Sequence, residues 1–313
     1  MARFLITGGA GFIGSHVADA LLRANHDVRV VDDLSTGKRD NLDPRVTLIE
    51  GDVADGPLMR DAARGMDGII HLAAIASVAR SNEDWLGTHR ANQTGTVSAL
   101  DAARQAGRIP VVYASSAAIY GDQGMAAIRE DARAAPSSAY GADKLGSEFH
   151  AGVATGVHGV PTMGFRFFNI YGPRQDPASP YSGVISIFAA RIGAGQGVRV
   201  DGDGGQTRDF VFVADVVAHL LAGLALLRAE PSRPAAVLNV CTGRSTSIID
   251  LARTLVAIAG HDVPITHGPA RLGDIRMSLG DPSLAVATLG IAAKTALAEG
   301  LRLTFDDLAA MAP

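Results

Sequence analysis

The first fourteen residues constrain this chain more than any other stretch. Arg3-Phe4-Leu5-Ile6-Thr7 is an apolar, strand-like run, and Gly8, Gly11 and Gly14 follow at three-residue spacing. Asp32 lies eighteen residues beyond Gly14, at the end of a second apolar run that begins at Val28. A strand, a glycine-rich turn, a helix and a second strand ending in an acid form the arrangement that holds a dinucleotide. Gly8 permits the tight turn, Gly11 lets backbone approach a pyrophosphate, and Gly14 lets the helix pack closely on the strand. Phe12 and Ile13 open that helix, where free N–H groups and the positive dipole end attract phosphate. The Asp32 carboxylate accepts from ribose hydroxyls and repels a 2′-phosphate, so the expected cofactor is NAD(H) rather than NADP(H).

Strand-like runs recur near 3–7, 28–32, 46–50, 68–72, 110–115 and 161–167, with helical stretches near 12–24, 56–63, 83–106 and 138–157. This alternation predicts an α/β fold with a doubly wound, Rossmann-type parallel sheet. Residues 1–168 read as the dinucleotide-binding domain. Beyond them the texture changes: 169–183 is rich in Pro, Gly, Asn, Ser and Tyr and reads as a loop, and 201–208 is rich in turn residues. A strand and helix are expected at 210–227, a strand near 236–241, a helix at 247–259, then a short tail. Residues 169–313 thus form a smaller α/β region for the substrate, with segments around 206–240 returning to the first domain. Helices 83–106 and 138–157 carry apolar and small residues on more than one face, a pattern that fits either packing on the sheet or half of a homodimer interface, and a homodimer is the expected assembly.

The 313 residues suffice for a real core, and the net charge of −4 comes with scattered Lys and Arg, which excludes a basic nucleic-acid stripe. The single cysteine, Cys241, permits no intrachain disulfide and sits in an apolar run. No Cys/His cluster has metal-ligand spacing, so no metal is expected. No run is long enough to span a membrane and no cleavable leader is visible, which makes the cytoplasm the expected location.

Tyr140-Gly141-Ala142-Asp143-Lys144 places a tyrosine and a lysine one helical turn apart, on one face. A phenol is a poor base at neutral pH, but an adjacent ammonium and an oxidised nicotinamide both favour the phenolate. Earlier in the chain, Tyr113-Ala114-Ser115-Ser116-Ala117-Ala118-Ile119-Tyr120-Gly121 ends an apolar strand, where open α/β sheets bind ligands. Ser116 is positioned to donate to a substrate oxygen.

With these motifs in order, the chain resembles the extended short-chain dehydrogenase/reductases, and among them the NAD-dependent nucleotide-sugar 4-epimerases. Further matching segments are Asp32-Asp33-Leu34-Ser35-Thr36-Gly37, Gly51-Asp52-Val53, His71-Leu72-Ala73-Ala74, Asn92-Gln93-Thr94-Gly95-Thr96, Arg166–Arg174, Gln206–Phe210 and Arg271–Ile275. The resemblance implies a UDP-sugar substrate and catalysis by Ser116, Tyr140 and Lys144. It implies adenine contacts from Asp52 and Val53, cofactor contacts from Asp33, Ser35, Thr36 and Gly37, and a cofactor groove lined by Leu72, Ala73, Ala74 and Ser115. Asn92 and Lys144 would hold the nicotinamide-side ribose. Asn169, Arg208 and Arg271 would hold the UDP diphosphate, with Asp274 near the uridine ribose.

The 4,6-dehydratases of the same group carry an acidic pair where this chain has Ala117-Ala118, and uronate decarboxylases carry a Glu there. A heptose 6-epimerase branch shares the Ser-Ser-Ala-Ala segment, but it usually lacks Arg-x-Gly-Asp-Ile. At the position where hexose-restricted relatives place a bulky Tyr, this chain has Ser278, which leaves room for a 2-acetamido group. Asp176 is expected to repel a uronate, and Arg191 is a candidate to offset it. A nucleotide-sugar ketoreductase and a non-catalytic NAD sensor are the competing readings. A reductase would consume free cofactor, and a sensor would not need the Ser116/Tyr140/Lys144 set.

Overall fold

The computed structural model describes residues 1–179, 183–270 and 275–310. Its strands are β1 (Arg3–Thr7), β2 (Asp27–Asp32), β3 (Thr47–Glu50), β4 (Gly68–His71), β5 (Val111–Ser116), β6 (Thr162–Phe167), β7 (Asn169–Tyr171), β8 (Val198–Asp201), β9 (Thr207–Arg208), β10 (Phe210–Phe212), β11 (Ala236–Val240), β12 (Thr246–Ser247), β13 (Ile265–Gly268) and β14 (Met277–Ser278). Its helices are α1 (Phe12–Arg23), α2 (Gly56–Ala63), α3 (Val78–Glu83), α4 (Trp85–His89), α5 (Gly95–Gln105), α6 (Ala139–Gly156), α7 (Val184–Gly193), α8 (Val213–Ala229), α9 (Ile248–Ala259), α10 (Ser283–Leu289) and α11 (Leu297–Ala310).

Seven parallel strands form the main sheet in the order β11-β6-β5-β4-β1-β2-β3. This is the expected Rossmann-type fold. Both faces are covered, so the central strands are mainly apolar on both sides and alternate residues enter two cores. Phe4, Ile6, Val30 and Ile70 join Val17, Leu21, Leu220 and Leu224 of α1 and α8. Leu5, Val31, Ile69 and Val111 join Met59, Ala99, Ala103 and Ala151 of α2, α5 and α6. The order reverses between β1 and β4, and the C-terminal ends there open a crevice, the place where such sheets bind ligands.

Local chemistry sets several helix starts. Asp55 accepts from Leu58 N at 3.1 Å at the start of α2, and Ser138 accepts from Gly141 N at 3.1 Å at the start of α6. The expected helix 83–106 is instead divided. Asp84 accepts from Gly87 N at 3.0 Å, capping a new helix where the old one stops, and Arg90–Thr94 forms a π-helical turn before α5.

The chain beyond 168 is more regular than its composition suggests. Asn169–Tyr171 is a strand paired with β10 rather than loop, and β11 pairs with β6 in the main sheet. Helix α7 and strand β8 have no counterpart in the sequence reading, and the expected short tail contains α10 and α11. Ile185, Phe188 and Ile192 of α7 pack with Leu251 and Leu255 of α9 and Leu301 of α11 in a third core. A two-strand pair β13-β8 and a three-strand sheet β12-β9-β14 complete this region. Among the described residues no helix is long and apolar enough to cross a membrane.

Candidate functional site

A cleft of about 1000 Å³ runs along the C-terminal ends of the main sheet. The β1–α1 turn forms its floor through Gly8, Gly11, Phe12, Ile13 and Gly14. Gly8 has φ of +69°, and a Cβ there would lie 2.7 Å from Ala73 N; one on Gly14 would lie 2.2 Å from Gly8 O. The turn is therefore pressed against the segment after β4, and α1 against the turn.

Asp32 closes one end. Its Oδ2 accepts from Ala10 N and its Oδ1 from Leu34 N, each at 2.9 Å. Burial pushes its pKa up, and these two donors draw it back. Asp33, Ser35, Thr36, Asp52 and Val53 also line the cleft, and the Asp33 carboxylate is turned to the Ser35 N–H and hydroxyl. Burial works to raise the Asp52 pKa, but Arg90 and Ala54 N hold it low. Gly37 stands behind Asp32, where a Cβ would meet Oδ1 at 2.8 Å, and is not part of the cleft wall.

Leu72, Ala73 and Ala74 line the opposite side. Thr7 Oγ1 accepts from Leu72 N at 3.2 Å and Ala73 N at 3.3 Å, and it meets His71 Nδ1 at 2.7 Å. Asn92 does not line the cleft. Its amide accepts from Ile75 N at 2.8 Å and donates to Ile75 O at 3.1 Å, so it braces the groove wall from behind.

The catalytic candidates meet at the other end. Ser116 closes β5; its hydroxyl accepts from Ala118 N at 3.1 Å and works to lower the pKa of the Tyr140 phenol. Tyr140 opens α6, its backbone N–H donating to Ser81 Oγ at 3.2 Å. One turn later Lys144 Nζ donates to Ala114 O at 2.9 Å and lies 5.9 Å from the Tyr140 ring centre. Burial pushes the Lys144 ammonium down to about 8, with the Asp143 carboxylate opposing. The sequence reading has Lys144 lowering the tyrosine pKa. Among the protein's own groups burial prevails and raises it, with Ser116 pulling the other way.

Ser115 lines the cleft, but its hydroxyl faces away and donates to Glu148 Oε1 at 2.5 Å. Arg166 grips that carboxylate at 2.9 and 2.7 Å, and its Nη1 reaches the Tyr120 hydroxyl at 2.8 Å. Burial pushes the His71 imidazole down to about 3, with the Lys144 charge acting in the same direction.

Toward the C-terminal region, Asn169, Arg208 and Ser278 line the cleft. β14 lies beside β9 with Ser278 opposite Arg208, and Arg208 Nη1 donates to Thr207 O at 2.8 Å and Ile275 O at 2.7 Å. Arg271 and Asp274 lie outside the described residues. Of the two charges weighed for a uronate, Asp176 lines the cleft and Arg191 does not. Asp176 is ion-paired with Lys38 at 2.7 Å, and Arg191 lies off the cleft, donating to Gly197 O at 2.9 Å. No group of three or more His, Cys, Asp or Glu among the described residues could hold a metal ion.

Residues 4–241 match the model of the NAD dependent epimerase/dehydratase family. The chain belongs to this family. It is 37% identical to the UDP-glucose 4-epimerase of Mycolicibacterium smegmatis over 97% of each chain. Its fold is similar to that of the UDP-glucose 4-epimerase of Thermotoga maritima solved with UDP-glucose, with TM-score 0.92, 35% identity and 99% of both chains covered. It is likewise similar to the UDP-N-acetylglucosamine 4-epimerase of Methanobrevibacter ruminantium, solved with UDP-N-acetylmuramic acid, with TM-score 0.93, 30% identity and 99% of both covered.

For a family member, the residues that sequence reasoning passed over are mostly braces rather than cleft walls. Glu148 stands one turn beyond Lys144, a spacing that signals a shared helix face. Asp209, buried beside Arg208, carried no signal apart from its place in the Arg-Asp-Phe run. Arg80 and Gln175 line the cleft from segments that show no motif.

Proposed function

We propose that this enzyme is an isomerase that inverts C4 of UDP-glucose and UDP-galactose, and of their 2-acetamido counterparts, with NAD as a resident cofactor. The observation that carries this reading is the meeting of Ser116, Tyr140 and Lys144 at one end of a cleft whose floor is the glycine turn closed by Asp32. The residues fit a dinucleotide. The turn has no room for side chains at Gly8 and Gly14, and the buried Asp32 carboxylate stands where ribose hydroxyls need an acceptor.

A bound nicotinamide would supply reversible hydride exchange with the sugar C4. Tyr140 removes the O4 proton as the ketone forms and gives it back as the new alcohol forms. Burial raises the phenol pKa in the protein alone, so the phenolate depends on the opposing pull of Ser116 and on positive charge brought close to the ring. Ser116 aligns O4, and Lys144 holds the nicotinamide-side ribose. Asn169, Arg208 and Arg271 hold the diphosphate and Asp274 the uridine ribose, since guanidinium groups match phosphate oxygens bidentately. An anchored nucleotide lets the keto sugar turn over without leaving. Ala117 and Ala118 supply neither acid nor base, which disfavours dehydration. Ser278, small and at the cleft, favours acceptance of a 2-acetamido group.

Trp85, Leu86, Val97, Phe149, Val153 and Val157 expose apolar surface on α4, α5, α6 and the residue after α6. This favours a homodimer through these helices, as large exposed apolar residues on neighbouring helices call for a partner. Light scattering on the eluting protein should give twice the chain mass. The cytoplasm is the compartment proposed for it.

The deciding experiment is proton NMR of the purified protein with UDP-glucose and, separately, UDP-N-acetylglucosamine, with no cofactor added. Appearance of the C4-inverted sugar supports both epimerisation and resident NAD. No conversion of either sugar after NAD is supplied overturns the reading.

A further inference from the structure

Asp209 is fully buried, with 0% exposure, between β9 and β10. Its Oδ1 accepts from Thr242 N at 2.8 Å and Thr242 Oγ1 at 2.7 Å. Its Oδ2 accepts from Gly243 N at 2.9 Å and, at longer range, from Gly280 N at 3.4 Å. Its carbonyl accepts from Asn169 N at 3.0 Å. One residue therefore ties four segments: its own, the end of β7's approach from the main sheet, the turn after β11, and the turn after β14.

The tied segments carry the three described residues assigned above to the nucleotide sugar. Arg208 precedes Asp209 directly. Asn169 hangs from its carbonyl. Ser278 lies opposite Arg208 and two residues before Gly280, whose N–H the carboxylate holds. Gly280 is itself pressed inward, as a Cβ there would lie 2.6 Å from Cys241 Sγ. No residue of the dinucleotide floor shares these bonds.

We infer that Asp209 is the positioning residue of the nucleotide-sugar half of the cleft, setting Asn169, Arg208 and Ser278 at fixed separations so that diphosphate and sugar are held at once. This rests on the function proposed above. The chemistry demands a carboxylate. Three of the four donors are backbone N–H groups that can only donate, so both oxygens must accept. An amide at 209 turns an N–H toward another N–H and leaves buried donors unmatched.

The test uses Asp209→Asn and the milder Thr242→Val, which deletes one donor and keeps the rest. Calorimetry measures UDP binding, absorbance measures resident NAD after desalting, and initial rates separate KM from kcat. For Asp209→Asn the expected result is UDP affinity weaker by about tenfold or more, KM raised in step, and NAD content and kcat little changed. Thr242→Val should show the same pattern at about threefold. A folded Asp209→Asn with unchanged UDP affinity, or one losing NAD as strongly as UDP, overturns the inference. If Asp209→Asn does not fold, unchanged UDP affinity in Thr242→Val overturns it. Wild-type protein that binds no UDP overturns the proposed function and this inference together, whereas intact wild-type binding with unaffected variants overturns the inference alone.

Discussion

The Ser115 hydroxyl donates to Glu148 Oε1 at 2.5 Å, directly behind the serine and tyrosine that face the cleft. The same carboxylate takes two bonds from Arg166, whose third nitrogen reaches Tyr120 and Glu130 O. The Tyr120 hydroxyl in turn donates to Asn239 Oδ1 at 2.7 Å on β11. A buried ion pair with its remaining valences filled thus locks α6 to β5, β6 and β11, and with them the separation of Ser116 from Tyr140.

Glu148→Ala leaves the Arg166 guanidinium buried without its counter-charge. Loss of one partner of such a pair costs about 3–5 kcal/mol, so urea unfolding should show a large drop in midpoint. Glu148→Gln keeps the shape and one acceptor and should lose less. Equal stability of Glu148→Ala and wild type would remove the pair from any structural role.

Tyr140→Phe keeps the ring and deletes the hydroxyl proposed to carry the proton. The protein should fold and keep NAD, while kcat falls on the order of 10²–10⁴-fold, the range for loss of a general acid–base group. Turnover by coupled assay and cofactor content by absorbance check the two halves separately.

Lys144 makes stability depend on pH. Its folded pKa is held near 8, below the ordinary lysine value, by burial. Between the folded and unfolded values the unfolded chain binds more protons, so this group's contribution to stability rises as pH increases from about 8 and is lost as pH falls through that value. Urea midpoints of cofactor-stripped wild type, compared with Lys144→Met from pH 7 to 10, should show this upward slope only in the wild type.

Gly14→Ala places a Cβ 2.2 Å from Gly8 O, a backbone atom that cannot step aside alone. The strain, about 1–3 kcal/mol for overpacking, should fall on the turn and empty the protein of cofactor on desalting. Full NAD content in this variant would contradict the close approach of α1 to the turn.

Ser278→Tyr should leave UDP-glucose turnover largely intact and slow UDP-N-acetylglucosamine turnover by about tenfold or more, because added bulk selects against the larger sugar. Side-by-side NMR rates decide it.

The parts of the site legible in the sequence are those whose chemistry is local. Glycine spacing, Asp32 at a strand end, and Tyr140 one turn before Lys144 each lie within one strand–turn–helix unit, so period and residue type suffice. Residues assigned through wider resemblance stand in mixed positions. Ser115 lines the cleft with its hydroxyl on Glu148, Asn92 braces Ile75, and Gly37 sits behind Asp32. Sequence position does not say which way a side chain faces once two elements pack.

By itself, then, the sequence determined the doubly wound sheet and its dinucleotide turn, because these follow from periodicities of two and 3.6 residues and from turn chemistry, while its resemblance to the family singled out Ser116, Tyr140 and Lys144 as the catalytic candidates. Tertiary structure alone decided what stands behind them. The Glu148–Arg166 pair joins residues 18 apart, Asp209 reaches Gly280 across 71, and Lys38 meets Asp176 across 138. Such contacts depend on the burial and close packing of whole elements, which set distances and shift charges such as those of Tyr140 and Lys144 in ways no local pattern encodes.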